Sequence, residues 1–217
     1  MNVIKKIYNR YLRINNKSVY LQRPIIGFRL DETKIKELYN LDVKHIDYDN
    51  DSDLENWCNV INNSYDDCYF DLPKARTFLK EHKIFQNGHT VLFYDGVKYC
   101  ATVSWGGYLN KPKVGGDYRI GVINEYKRRG IGRMCVEYAY SQLSNEGFRL
   151  GESLIMVKRI PSLNLHFSLG FIPRYDTRYV TYNLEIKNTS FTQRILLTLR
   201  LHHVYHSYLR QLKNSYK

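Results

Sequence analysis

The chain has 217 residues, 43% of them hydrophobic, which suffices for one good-sized core, and its 5 prolines and 13 glycines are too few for a disordered or fibrous protein. Its net charge of +12 sits at the ends: residues 1–30 hold seven Lys/Arg and residues 186–217 six, neither with an acid, so the remainder comes to −1. No apolar run reaches the length of a membrane span, no signal-peptide core opens the chain, and Cys58, Cys68, Cys100 and Cys135 form neither a CxxC pair nor a metal pattern. Free thiols packed as small apolar residues in a reducing compartment are expected, and hence a cytoplasmic protein.

In chain order, residues 2–14 place Ile4, Ile7, Tyr8, Tyr11 and Leu12 on one helical face, with Lys5, Lys6, Arg10 and Arg13 elsewhere. A linker is expected around Arg23-Pro24, a short helix over 33–39 and a first strand over 44–48. Residues 51–64 read as a helix opened by Ser52-Asp53, with Leu54, Trp57, Val60 and Ile61 on one stripe. Pro73 fits the first residue of a helix running to Glu81. Strands 90–94 and 97–104 form a hairpin about Asp95-Gly96. A glycine-rich loop from Gly106 to Gly116 follows, then a strand over 118–123. Met134, Val136, Ala139, Tyr140 and Leu143 predict a helix over 131–145, ended by Asn145-Glu146-Gly147. Beyond it come a strand over 153–157, a short helix over 162–168 and a strand over 178–186.

Between strand 118–123 and helix 131–145 lies Lys127-Arg128-Arg129-Gly130-Ile131-Gly132-Arg133. A basic, glycine-interrupted turn opening a helix suits an anion: glycines let amides approach closely, and the helix start adds partial positive charge. Arginines add fork-shaped donors for phosphate oxygens. The spacing is neither that of a P-loop nor that of a dinucleotide fold.

The run resembles the acyl-CoA signature of the GCN5-related N-acetyltransferase (GNAT) superfamily, Gln/Arg-x-x-Gly-x-Gly/Ala, with Lys127 at the first position and Gly130 and Gly132 matching. Pro161-Ser162-Leu163-Asn164-Leu165-His166-Phe167-Ser168-Leu169-Gly170-Phe171 resembles the segment after the fifth strand in the same superfamily. Its Pro-Ser start and His166 look most like the phosphinothricin-acetyltransferase branch, while the family's usual Asn falls at Arg159. The likeness covers roughly residues 45–186. It implies an α/β fold with a mixed, mostly antiparallel sheet whose fourth and fifth strands, 118–123 and 153–157, splay apart between flanking helices. The expected organisation is a basic extension over 1–42, the acetyltransferase domain over 43–187 and a basic amphipathic helix over 188–217.

The resemblance implies acetyl-CoA as acyl donor and no metal. Residues 127–133 and Ser162 would hold it, and free N–H groups of Gly121, Val122 and Ile123 would meet the acyl and pantetheine carbonyls. His166 stands where the superfamily commonly has the Tyr that protonates the departing thiolate; alternatively it packs between Leu165 and Phe167. Asp117 is the only carboxylate just before that strand and the candidate base, or else a turn residue after Gly115-Gly116. His202, His203 and His206 have no acidic or cysteine companion and read as a solvated face.

Three functions are open on these residues. The first is acetyl transfer to the amine of a small molecule or amino sugar. The second is acetylation of an aminoacyl-tRNA or protein amine recruited by the basic ends. The third is a non-catalytic acyl-CoA-binding module. Residues 1–30 and 186–217 could serve self-association, an anionic membrane surface or nucleic acid.

Overall fold

A computed structural model describes residues 18–80, 85–156 and 159–173. The elements are β1 (Ser18–Pro24), α1 (Glu32–Tyr39), β2 (Asp42–His45), α2 (Asp51–Asn62), α3 (Leu72–Lys80), β3 (Phe85–Tyr94), β4 (Tyr99–Tyr108), β5 (Val114–Val122), α4 (Ile131–Asn145), β6 (Leu150–Met156), α5 (Ile160–Ser168) and β7 (Ile172–Pro173), with a 3₁₀ turn at Asn124–Tyr126. The expected helix 2–14, strand 178–186 and C-terminal helix lie outside the described residues.

The described chain forms two compact units, one from residues 24–152 and one from residues up to 23 together with those from 153 on. In the first, the strand order is β2-β3-β4-β5 and then the start of β6. The first four strands pair antiparallel, and β5 meets β6 parallel at Val114↔Leu150 and Gly115↔Gly151. The sheet is therefore mixed, and the α/β class expected from sequence holds.

Strand alternation assigns the two faces. Phe93, Trp105 and Asp117 turn to α4, where Trp105 meets Tyr138 edge-on at 5.6 Å and Phe93 meets it at 5.8 Å. The opposite face carries Leu92, which joins α2 and α3 in a core of Leu54, Trp57, Val60, Ile61, Ala75 and Leu79. The stripe read on residues 51–64 is thus the buried face of α2. Each such large apolar side chain contributes about 1.5–3 kcal/mol on burial.

Helix starts follow side-chain chemistry. Asp31 caps α1 by accepting from Lys34 N at 2.9 Å. Asn50, not Ser52-Asp53, caps α2, its Oδ1 accepting from Ser52 N at 2.9 Å and Asp53 N at 3.4 Å. Asp53 is 2% exposed and instead accepts from Lys44 and from Asp47 N. The β3–β4 turn is longer than the two residues expected: Asp95 Oδ1 accepts from both Val97 N and Lys98 N at 2.9 Å, and β4 begins at Tyr99.

The glycine-rich stretch corrects a second expectation. Gly106 pairs with Gly116 and Gly107 with Gly115, so these glycines belong to β4 and β5 rather than to a loop. A Cβ at Gly115 would stand 2.5 Å from Leu143 Cδ2, and one at Gly116 2.5 Å from Glu152 O. Glycine is required there by close packing.

The other unit contains β1, the later part of β6, α5 and β7, with the order β6-β1-β7. The expected linker around Arg23-Pro24 is in fact strand β1, paired antiparallel with β7 at Leu21↔Pro173 and Gln22↔Ile172. Arg23 donates to Leu169 O, which ties the end of α5 to β1. Leu163, Phe167, Leu169 and Phe171 are buried.

Candidate active site

The cationic turn lies where β5 ends and α4 begins. Its backbone reverses through Arg128 at φ 64° and Gly130 at φ 80°, both in the left-handed region. Glycine takes that conformation freely, whereas Arg128 holds it at a cost of order 1–3 kcal/mol. Gly130 is the N-cap of α4, and no side chain caps the helix. The first-turn amides of a helix need an acceptor from outside it, so this start is chemically open to an anion.

The four cations of the turn divide into two pairs. Lys127 is tied to the protein, donating to Asn124 Oδ1 at 2.6 Å and Ser64 O at 3.2 Å. Arg133 is held by Glu137 at 3.0 Å, one helical turn on. Arg128 and Arg129 are exposed, and the Arg129 guanidinium lies 4.9 Å over the Tyr126 ring. Tyr126 in turn donates to Asp95, whose carboxylate pushes the phenol up to about 12. Two exposed guanidinia and an uncapped helix start are the groups of the turn whose chemistry suits an anion. Ile131 is buried in the core beneath them, and Gly132 lies in the first turn of α4.

Along β5, Gly121 and Val122 pair with Thr102 and Ala101. The Ile123 N–H donates to Cys100 O at 3.0 Å, so it points toward β4 and is not free. Neighbouring amides of a strand point to opposite edges, which directs the Val122 N–H to the edge facing away from β4. Registered pairing with β6 is limited to Val114 and Gly115. At Gly121 a Cβ would stand 3.0 Å from Ile61 Cδ1 and 3.1 Å from Ser64 Oγ. Its missing side chain therefore makes room for α2.

Asp117 lies within β5 and is not the turn residue its neighbouring glycines suggested. It is 7% exposed and accepts from the Tyr140 hydroxyl at 2.5 Å. Burial first, and the Asp117 charge second, hold the Tyr140 phenol well above its ordinary range. Another buried carboxylate carries no mark in the sequence: Glu152, 1% exposed, pairs with Lys111. Nothing in Gly151-Glu152-Ser153 signals that burial.

In the other unit, His166 and Ser162 lie on α5. His166 is 1% exposed, sits edge-on to Phe171 at 5.2 Å, and its Nδ1 is 2.8 Å from Ser162 O. A carbonyl only accepts, so Nδ1 carries the hydrogen and Nε2 bears the lone pair of the neutral ring. Donation from Nε2 therefore requires the imidazolium. Ser162 contributes this carbonyl, a role its position in the motif did not indicate.

A cleft of about 520 Å³ opens beside the 3₁₀ turn, lined among others by Asn56, Asn59, Asn63, Tyr94 and Asn124. Its cation, Lys98, is paired with Glu125, so the lining suits neutral polar groups more than phosphate. Among the described residues no three or more His, Cys, Asp or Glu gather as metal ligands, and no helix is long and apolar enough to cross a membrane.

No curated protein matches the chain. Among solved structures it resembles a putative acetyltransferase of the GNAT family from Novosphingobium aromaticivorans, with 12% identity, a TM-score of 0.50, and coverage of 73% of this chain and 61% of that one. A functionally unknown conserved protein from Staphylococcus epidermidis aligns with 10% identity and a TM-score of 0.54 over 80% of this chain and 64% of that one. A putative GNAT acetyltransferase from Desulfovibrio desulfuricans aligns with 14% identity and a TM-score of 0.50 over 59% of this chain and 83% of that one. The chain thus spans about six-tenths of the first two, and at these identities the likeness is one of fold. The model of the acetyltransferase (GNAT) family matches residues 54–171, more than half of the chain, from within α2 to Phe171, and the protein belongs to that family.

Proposed function

We propose that the protein transfers an acetyl group from acetyl-CoA directly to the amine of a small molecule or amino sugar, without an acyl-enzyme. The observation that carries this reading is the uncapped start of α4, reached through two left-handed residues and flanked by Arg128 and Arg129. Those amides and guanidinia fit a pyrophosphate, and family membership makes the acyl-CoA thioester its natural bearer. When bound, acetyl-CoA supplies a thioester carbonyl whose bond to sulfur breaks as the bond to the amine nitrogen forms.

The chain's own residues have separate tasks in this reading. Arg128, Arg129 and the first-turn amides of Ile131, Gly132 and Arg133 bind the diphosphate, while Lys127 braces the turn on Ser64. The Val122 N–H serves the donor's carbonyl groups. His166, placed by its motif, returns a proton to the departing thiolate from Nε2, and its Nδ1–H bond to Ser162 O fixes the ring for that task. Asp117, engaged by Tyr140, holds β5 to α4, so the amine loses its proton to solvent. The Pro161-Ser162 start of α5, in the style of the phosphinothricin-acetyltransferase branch, favours a small acceptor, and a cytoplasmic site supplies the coenzyme.

The test is incubation with acetyl-CoA and a mixed amine library, with acetylated products identified by mass spectrometry and acetyl-CoA binding followed by calorimetry. Binding together with a product heavier than its amine by one acetyl group, attached at nitrogen, supports the proposal. Absence of acetyl-CoA binding overturns it.

A further inference from the structure

Strand β5 contains an irregularity that the sheet itself does not require. Thr102 pairs with Gly121 but Ser104 pairs with Tyr118, so Arg119 and Ile120 together oppose Val103 as a β-bulge. Arg119 holds φ 52°, a left-handed conformation that side-chain-bearing residues adopt under strain. The bulge is kept in place by the Tyr65 hydroxyl, which donates to Ile120 O. Bulges beside functional sites re-aim a side chain, and here the side chain is a guanidinium.

That guanidinium is held by ring faces. Its Cζ lies 4.9 Å from the Phe78 centroid and 5.2 Å from that of Phe70. The two rings pack edge-on at 5.3 Å and both lean on Trp57, which is fully buried. Arg76 and Lys111, as partly buried as Arg119, hold Asp51 and Glu152 respectively. Arg119 has no carboxylate and no hydrogen-bond acceptor among the described residues. Aromatic faces attract the cation but accept none of its five N–H groups in line.

The bulge stands three residues before Val122, on the order of 10 Å along the strand. Its side chain lies on the α2–α3 face, opposite the α4 face that holds Asp117. A guanidinium held over ring faces keeps its N–H groups for another acceptor, and a carboxylate can take two of them in parallel hydrogen bonds. One guanidinium without a second cation matches a monoanion better than a phosphate. We propose that Arg119 receives the carboxylate of the acceptor, so that the amine acetylated belongs to an amino acid or another small amine bearing a carboxylate. The inference rests on the acetyl-transfer reading above and names its substrate class.

The experiment compares L-amino acids with their matching amides as acceptors, measuring CoA thiol released per unit time, with acetyl-CoA binding measured separately by calorimetry. For the wild-type protein, at least one acid should exceed its amide in kcat/KM by about 10- to 100-fold, the range for losing a hydrogen-bonded charge. Arg119→Gln should remove that preference, mostly through KM, and leave the amide's rate and acetyl-CoA affinity unchanged. Arg119→Lys, keeping the charge without the fork, should retain only part of it. Acetyl-CoA binding with amides as good as acids, or with no acid turned over, overturns the carboxylate assignment alone. Failure to bind acetyl-CoA overturns the acetyl-transfer reading and this inference with it. The wild-type comparison decides the matter even where Arg119→Gln lowers the melting temperature.

Discussion

Tyr140→Phe removes one oxygen from the interior and separates the two roles open to Asp117. The ring stays, with its stack on Phe28 at 5.8 Å, so the change isolates the 2.5 Å hydrogen bond to a carboxylate that is 7% exposed. A hydrogen bond to a charged group contributes about 1.5–3 kcal/mol, and its loss leaves a buried anion less well satisfied. For a chain of this size each kcal/mol moves the midpoint by about 2–4 °C, so a fall of about 3–12 °C is expected. Asp117→Asn leaves an oxygen able to accept from Tyr140 and should be the milder change in stability. Both variants should keep the wild-type kcat within about threefold, because loss of a general base lowers rates by about 10²–10⁴. Differential scanning calorimetry and steady-state acetyl transfer measure the two effects side by side. An unchanged midpoint in Tyr140→Phe would refute the energetic argument. A folded Asp117→Asn protein slowed about 100-fold or more would show that Asp117 moves the proton.

Gly130→Ala places a Cβ no closer than 3.7 Å to Tyr39, so its cost should be conformational, about 1–2 kcal/mol for φ 80°. Gly130→Asn should recover part of that stability, and calorimetric titration should show acetyl-CoA affinity falling most for Ala; equal melting temperatures for Ala and wild type would contradict the backbone assignment. Of the four thiols only Cys68 is partly exposed, and burial pushes Cys58 up to about 11 and Cys100 up to about 12. A thiol reagent at neutral pH should therefore modify one cysteine quickly and the others only on unfolding, with two fast thiols counting against the packing described. Asp95 is held at about 2 by the Tyr126 hydroxyl and by the amides of Lys98 and Val97. Its contribution to the β3–β4 turn is complete above the ordinary carboxylate value of about 3.9 and lost as pH falls through about 2. Carboxyl NMR should place its titration there, and Asp95→Asn should flatten that part of acid unfolding; a midpoint near 4 would break the argument.

Local chemistry made much of this protein legible. The helical period from Met134 to Leu143 and the Asn145-Glu146-Gly147 stop match α4 at both ends. The positive φ at Gly130 is the conformation its glycine invites, and the uncapped start of α4 falls within the basic, glycine-containing run 127–133. Such features depend on residues within a turn or two of each other, so a linear string records them. Pairing between distant segments is recorded far less well. Strand β1 exists because Leu21 meets Pro173, and the glycines of 106–116 lie in strands because Gly106 meets Gly116 and Gly107 meets Gly115. The Ile123 amide belongs to Cys100, Asp117 to Tyr140, and Arg119 to two phenyl rings supplied by other elements. Conformational preference is a property of a few neighbouring residues and can be read along the chain; which hydrogen-bond donor remains open, and toward what, is settled only when segments far apart in sequence occupy the same space.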